Sequence, residues 1–323
     1  MALNKPGRRA FLILAFAFAL IAWPAFLTGS GIHYRVIGMA CFYGALALSW
    51  NIFALTGAIS LGHAAFFGLG AYGSALFGQY WHWSPYVTIF LGGTVGCIYG
   101  FLWHLTFRKL RGVAFALATL ASVEIPKVII DNWDRLTSGS LGLVGIAGLP
   151  PVYLGSITFD FAENVQAQCY FLIVLALFVT YIHVRAVSSR WGWAIRSVRE
   201  DEIAASTLGV DVPGIRLRAL CVSAFLTGLC GAVYAHLMGS IEPALVFSLH
   251  FSALPLVLSI FGGRYQAVGP FLGALILYPA DQLLFHSWLP AGHAALYGLV
   301  MVVAILFFPQ GIGEWIQRKT KSV

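Results

Sequence analysis

The chain has 323 residues, of which 59% are hydrophobic and 10% charged, with 35 glycines and a mean hydropathy of +0.84. A water-soluble domain carries about a quarter charged residues, so these figures exclude one and indicate a polytopic helical membrane protein. The formal net charge of +7 would suit nucleic acid, but the basic residues cluster at the ends of apolar runs, which is a membrane-topology signature instead.

At the start, Lys5, Arg8 and Arg9 precede an apolar run from Ala10 to Leu27. It reads as a signal peptide or as a first membrane helix. Its length, and the lack of a small-x-small cleavage site after it, favour the helix. One crossing needs about 20 apolar residues, and the alternating pattern of a membrane barrel is absent. Spans are expected at about 10–28, 36–56, 60–80, 86–106, 112–132, 167–187, 214–238, 246–262, 267–285 and 292–309. The expected fold is therefore an all-α bundle of about ten spans, forming one transmembrane domain over 1–323.

The stretch from Gly57 to Gly73 is dense in glycine, alanine and serine, residues that let helices approach closely in lipid. A helix break near Thr56-Gly57 would expose backbone groups, tolerable only if buried in protein or lining a wet cavity. His63 reads as a satisfied interior histidine or a group facing a pathway. Glu124 is the acidic residue deep within an expected span, where ionisable groups are costly and often functional. Lys127 lies three residues on, where the two can pair, so a structural pair is the default. Ser60, His63, Thr119 and Glu124 are the pathway candidates, with Asn51 and Asn132 weaker ones.

The segment 133–166 is the longest external loop, with Gly139, Gly142, Gly145, Gly148, Pro150 and Pro151. It reads equally as a flexible connector or as a platform for an external partner. The five cysteines are scattered, most within apolar runs and without a CxxC pair, so neither a disulfide framework nor a metal site is expected.

Between Arg190 and Arg218 the chain turns sharply polar, with Arg196, Arg199, Glu200, Asp201, Glu202, Asp211 and Arg216. Ser197 and Glu200 fit a capping box, and three acids would crowd the first turn. Gly209 fits a left-handed stop and Pro213 bars continuation. A helix over about 198–208 is expected, on the order of 16 Å long. It reads as a docking element for a soluble partner, or as an amphipathic helix lying on the membrane.

With the N-terminus in the cytoplasm, 16 of the 19 basic residues fall on the cytoplasmic side; only Arg35, Lys127 and Arg135 do not. Both termini and the loop at about 190–213 are then cytoplasmic. Trp81, Trp83, Trp191, Trp193 and Trp288 fall near span ends, as an interfacial belt would.

Residues 48–72 (LSWNIFALTGAISLGHAAFFGLGAY) resemble the signature of the LivM-type permease of branched-chain amino-acid ABC importers. So do Leu110-Arg111-Gly112 with 116–119, Asn132-Trp133 with 136–143, and Ala194-Ile195-Arg196 with Arg199–Glu202, Ala204-Ala205 and Leu208-Gly209. Gly262-Gly263-Arg264, Gly269-Pro270, Gly273-Ala274 and Phe308-Pro309-Gln-Gly311 complete a likeness running from about 36 to 315. The resemblance implies a type II-like importer permease in a bacterial inner membrane. It implies two ABC ATPase subunits, a second related permease (LivH-like) and an external substrate-binding protein as partners. Arg199, Glu200, Asp201, Glu202, Ala204, Ala205 and Gly209 would form the coupling helix that enters the ATPase groove. ABC importers show an E-A-A-three residues-G pattern there. Here the glutamate stands one place early, at Glu202 with Ile203 intervening, which leaves its role open.

No GxxxxGK[ST] loop occurs, so the chain is expected not to hydrolyse ATP; ATP and Mg would sit on the partner ATPases, with no cofactor or metal on this chain. The cargo expected is a branched-chain or related amino acid, with urea, short amides or other small carboxylates as the alternative. An ion-driven secondary transporter is the rival of another class, but it would want paired midplane charges and broken helices in two related halves.

Overall fold

A computed structural model describes residues 31–154, 157–161 and 164–285, together with 18–19 and 298. The expected spans 10–28 and 292–309, the basic residues at both ends and the motif at 308–311 lie outside the described residues.

The described chain is mostly helical: α1 Gly31–Ala54, α2 His63–Trp81, α3 Pro85–Phe107, α4 Gly112–Ala121, α5 Glu124–Asp131, α6 Asp134–Thr137, α7 Val165–Ser188, α8 Arg190–Glu200, α9 Glu202–Thr207, α10 Val212–Met238, α11 Pro243–Val246, α12 His250–Gly262 and α13 Gly269–Ala280. Four short strands complete it: β1 Leu143–Val144, β2 Val152–Leu154, β3 Ile157–Phe159 and β4 Ser240–Ile241. β1 pairs antiparallel with β4, and β2 with β3. The chain is mainly helical, as expected of an all-α permease, and β1 and β4 pair where glycines at positive φ (Gly142, Gly145, Gly239) let the connecting segments turn back.

Among the described residues six stretches are long and apolar enough to cross a membrane: Gly31–Ala54, Pro85–Phe107, Gly112–Asp131, Val165–Ser188, Val212–Met238 and Pro243–Gly262. Large apolar side chains stay exposed along α3 (Phe90, Ile98, Leu105) and α7 (Val174, Phe178), as lipid-facing helices require. The expected span 112–132 is split at Ser122-Val123 into α4 and α5. The span at 246–262 is preceded by the separate turn α11, and that at 267–285 shortens to α13, with Pro279 inside it and a π turn at Asp281–Phe285.

The chain divides into two compact units. In the first (31–51, 165–193 and 255–285), glycines set the packing: a Cβ on Gly44 would strike the Phe271 ring at 2.5 Å, and one on Gly38 would press on the Cys169 backbone at 3.3 Å. Asn51 donates to the Arg264 carbonyl at 2.7 Å, and its oxygen accepts from His183 Nε2 at 3.0 Å. Asn51 is thus a buried tie that holds the turn at Arg264.

In the second unit (52–154, 157–161, 164 and 194–254), α2, α3 and α10 pack against one another through glycine. A Cβ on Gly92 would meet the Gly70 carbonyl at 2.5 Å, on Gly96 the Ala224 carbonyl at 2.7 Å, and on Gly228 the Gly92 carbonyl at 2.8 Å. Such backbone approach replaces the hydrophobic driving force that lipid cannot supply. At one end of this trio the segment 134–150 is tied down. Ile146 N donates to the Gly239 carbonyl at 3.0 Å, Gln79 to the Val144 carbonyl at 3.0 Å and Tyr86 to the Pro150 carbonyl at 2.9 Å. Residues 134–150 are thus built structure rather than a loose connector.

Candidate functional site

The polar island lies at the opposite end of the trio, and its framing differs from expectation. Ser197 does not start a helix; it lies inside α8, and its hydroxyl returns to the Ala194 carbonyl at 2.9 Å. The chain breaks at Asp201, which is extended (φ −155°) and caps α9 by accepting from Ile203 N at 2.8 Å and Ala204 N at 3.0 Å. A carboxylate both caps and neutralises the helix N-terminus, so it outcompetes the serine four residues earlier. The short helix is therefore six residues, about 9 Å. It ends at Thr207, and Gly209 follows at φ +83°, the left-handed position that a side chain would strain. Pro213 falls in the first turn of α10, where its missing N–H costs nothing, and Asp211 caps that helix through Gly214 N at 3.1 Å.

Glu202, whose role the sequence left open, is the hub of the site. Its carboxylate accepts from Arg111 (Nη2 2.7 Å, Nε 3.1 Å) and from Arg216 (Nη2 2.9 Å, Nη1 3.1 Å). Two guanidinium forks hold one carboxylate, each in bidentate geometry. They tie α9 to the α3–α4 connector and to the start of α10. Arg199 pairs with Glu200, and a Cβ on Gly57 would meet the Arg199 side chain at 3.4 Å. The break after α1 thus rests on the residues preceding α9. Ile203 is 77% exposed and Leu208 84%, whereas Ala205 is 2% exposed. Ala205 therefore faces the chain's own interior, and the outward surface belongs to Ile203, Ala204 and Leu208.

Deeper in the same unit three pathway candidates converge. Thr119 Oγ1 accepts from Leu61 N at 3.1 Å, and Ser60 Oγ accepts from Gly62 N at 3.3 Å. His63 meets Ser60 Oγ at 3.0 Å through Nδ1 and Ser223 Oγ at 2.9 Å through Nε2. Ser252 Oγ caps the opened backbone at Ala64 N, at 2.9 Å. All five side chains are buried. This is how the non-helical stretch 58–62 is accommodated: hydroxyls satisfy the amides that the break frees. Both His63 nitrogens are engaged, and because hydroxyls donate or accept, either can carry the proton. Ser223 and Ser252 give no signal in the sequence, for each sits in an apolar span about 160 or more residues from Ser60.

Glu124 is not part of this group. It pairs with Lys127 at 3.2 Å and its side chain is 61% exposed, so it sits on the surface of the split span and not in a buried position. Asn132 is also exposed and donates to the Val128 carbonyl at 2.8 Å. Among the described residues no cluster of three or more His, Cys, Asp or Glu could hold a metal ion, and no cysteine forms a disulfide.

Comparison with known proteins gives this arrangement a family. A profile described as "Branched-chain amino acid transport system / permease component" matches residues 32–306. The chain is 26% identical over 330 residues to the high-affinity branched-chain amino acid transport system permease protein LivM of Salmonella typhimurium strain LT2, covering 94% of this chain and 75% of that protein. It is 24% identical over 234 residues to the nucleoside ABC transporter permease protein NupC of Lactococcus lactis (68% and 71%). It is 22% identical over 295 residues to the fructose import permease protein FrcC of Rhizobium meliloti (88% and 78%). No solved structure matches. The chain, a mainly helical multi-pass membrane protein, therefore belongs to the family of branched-chain amino acid transport permease components and is of the LivM type.

Proposed function

We propose that the chain is one permease of an ATP-driven importer that carries branched-chain amino acids across a bacterial inner membrane, with about ten spans and both termini cytoplasmic. The observation that carries this reading is the mounted helix α9. It presents Ile203 and Leu208 outward while Glu202, gripped by Arg111 and Arg216, links it to two membrane-spanning segments. A helix that receives force must be both exposed and tied to the spans it moves, and α9 meets both conditions. Arg199, Glu200, Asp201, Glu202, Ala205 and Gly209 form its frame; Ala204, Ile203 and Leu208 form its contact face.

The positive-inside count supports the orientation. It assigns Arg111, Glu202 and Arg216 to one side of the membrane, and these three are in contact. The partners are two ATPase subunits holding ATP and Mg, a second related permease and an external binding protein. This chain hydrolyses no ATP itself. Closure of the ATPases pushes α9, and the push passes through Glu202 to α10 and the α3–α4 connector. Ser60, His63 and Thr119, at the break between α1 and α2, form the polar wall along which cargo passes. The amino-acid assignment leans on the LivM likeness, 26% identical over 94% of the chain, against 22% over 88% for the fructose permease and 24% over 68% for the nucleoside permease.

Substituting Leu208→Asp together with Ile203→Asp tests the reading. The permease should still reach the membrane, but the ATPase should no longer co-purify and leucine uptake should vanish. Full uptake by the doubly substituted importer would exclude α9 as the coupling element.

A further inference from the structure

A cavity of about 480 Å³ opens beside Glu202, between the end of α3, the connector to α4 and the start of α10. Its wall has two chemistries. Phe53, Phe107 and Phe115 make one part apolar; Arg108, Lys109, Arg111 and Arg216 make the other basic, and Glu202 is the single carboxylate. Four cationic side chains face one anion. All three Arg111 nitrogens are engaged, because Nη1 donates to the Arg108 carbonyl at 2.7 Å and the Leu110 carbonyl at 3.1 Å. Arg108 and Lys109 are exposed and form no ion pair among the described residues. The Nε of Arg216 is buried without a hydrogen-bond partner. The cavity therefore holds unspent cationic charge on Arg108 and Lys109 beside an apolar wall.

We propose that this cavity binds the phosphate head of an anionic phospholipid, with an acyl chain against the phenylalanines. A free phosphate would leave the apolar wall wet, and a zwitterionic head would bring its own cation to a basic rim. The cytoplasmic leaflet is the anionic one, and basic pockets between spans on that side suit such heads. The inference rests on the orientation proposed above, which puts this end of the unit in that leaflet.

The test uses the assembled importer in mild detergent, supplied with equal amounts of phosphatidylglycerol and phosphatidylcholine and read by native mass spectrometry. Wild type should retain phosphatidylglycerol preferentially. The variant Arg108→Ala with Lys109→Ala should weaken that retention roughly tenfold or more, as expected for two basic side chains at the membrane surface. Inorganic phosphate in excess should not displace the lipid; displacement would make this a free-phosphate site. Equal retention of both lipids by wild type, or undiminished phosphatidylglycerol on the variant, would overturn the proposal. The wild-type comparison stands even if the variant fails to assemble. ATPase co-purification is scored in the same sample, so loss of the ATPase with lipid still bound counts against the coupling reading alone.

Discussion

The two ends of the α2–α3–α10 trio are fastened in opposite ways. At the end bearing Ile241, neutral groups do the work: β1 pairs with β4, and His236 Nδ1 donates to the Ala147 carbonyl at 2.6 Å. That carbonyl only accepts, so the proton is fixed on Nδ1 and Nε2 faces the hydroxyls of Ser74 at 2.8 Å and Thr88 at 3.0 Å. At the end bearing Glu202, charges do the work, across a cavity, with Arg111 half exposed. Backbone pairing holds one geometry. Ion pairs on long side chains tolerate small displacements and respond to salt. The contrast places the rigid fastening at one end and the adjustable joint at the other, the division that the transport cycle proposed above would use.

The largest expected effect lies at neither end but at the waist they share. Gly70→Val forces a side chain into the Gly228 backbone, where no flexible neighbour can yield. Loss of folded protein, seen as aggregation on size-exclusion chromatography of the detergent extract, is the expected outcome, at 3 kcal/mol or more on the order of severe overpacking. A well-behaved Gly70→Val protein would mean that close glycine contact does not build the trio.

Next is His236→Ala at the sealed end. It strands the Ala147 carbonyl, while Ser74 and Thr88 keep their mutual hydrogen bond and the Pro85 carbonyl, a cost of about 1–3 kcal/mol. The segment 134–150 should become protease-sensitive while α9 remains protected, and this protection pattern should not vary with salt. Glu202→Gln at the adjustable end removes the shared carboxylate from two arginines. The cost is about 1–2 kcal/mol after allowance for solvent exposure, and it should shrink as ionic strength rises. A salt-independent loss would dissolve the contrast. Glu124→Gln is the smallest: an exposed pair three residues apart contributes about 0.5 kcal/mol or less. An unchanged melting temperature with abolished uptake would return Glu124 to the pathway.

Local grammar made much of this legible. The glycines and apolar runs marked some helices to within a few residues, His63–Trp81 for 60–80 and Val212–Met238 for 214–238, but not the break inside 112–132. Gly209 marked the stop after α9, because only backbone geometry decides a left-handed residue. The start of α9 was misread because Ser197 and Glu200 satisfy a capping pattern that Asp201 satisfies better, and sequence spacing alone does not rank two competing caps. The site partners were out of reach for a different reason. Arg111 and Arg216 read as topology-setting charges, and Ser223 and Ser252 carry no reading at all, since nothing local connects them to Glu202 or His63. Tertiary packing supplies those pairings.

The central claim is that α9 faces the cell interior. Ser206 lies on its exposed side, so Ser206→Cys offers a handle for a membrane-impermeant maleimide, scored against the unsubstituted chain. Labelling in inside-out vesicles but not in intact cells, with protection when the ATPase is bound, is the result this account predicts. Labelling from the outer face of intact cells would contradict it.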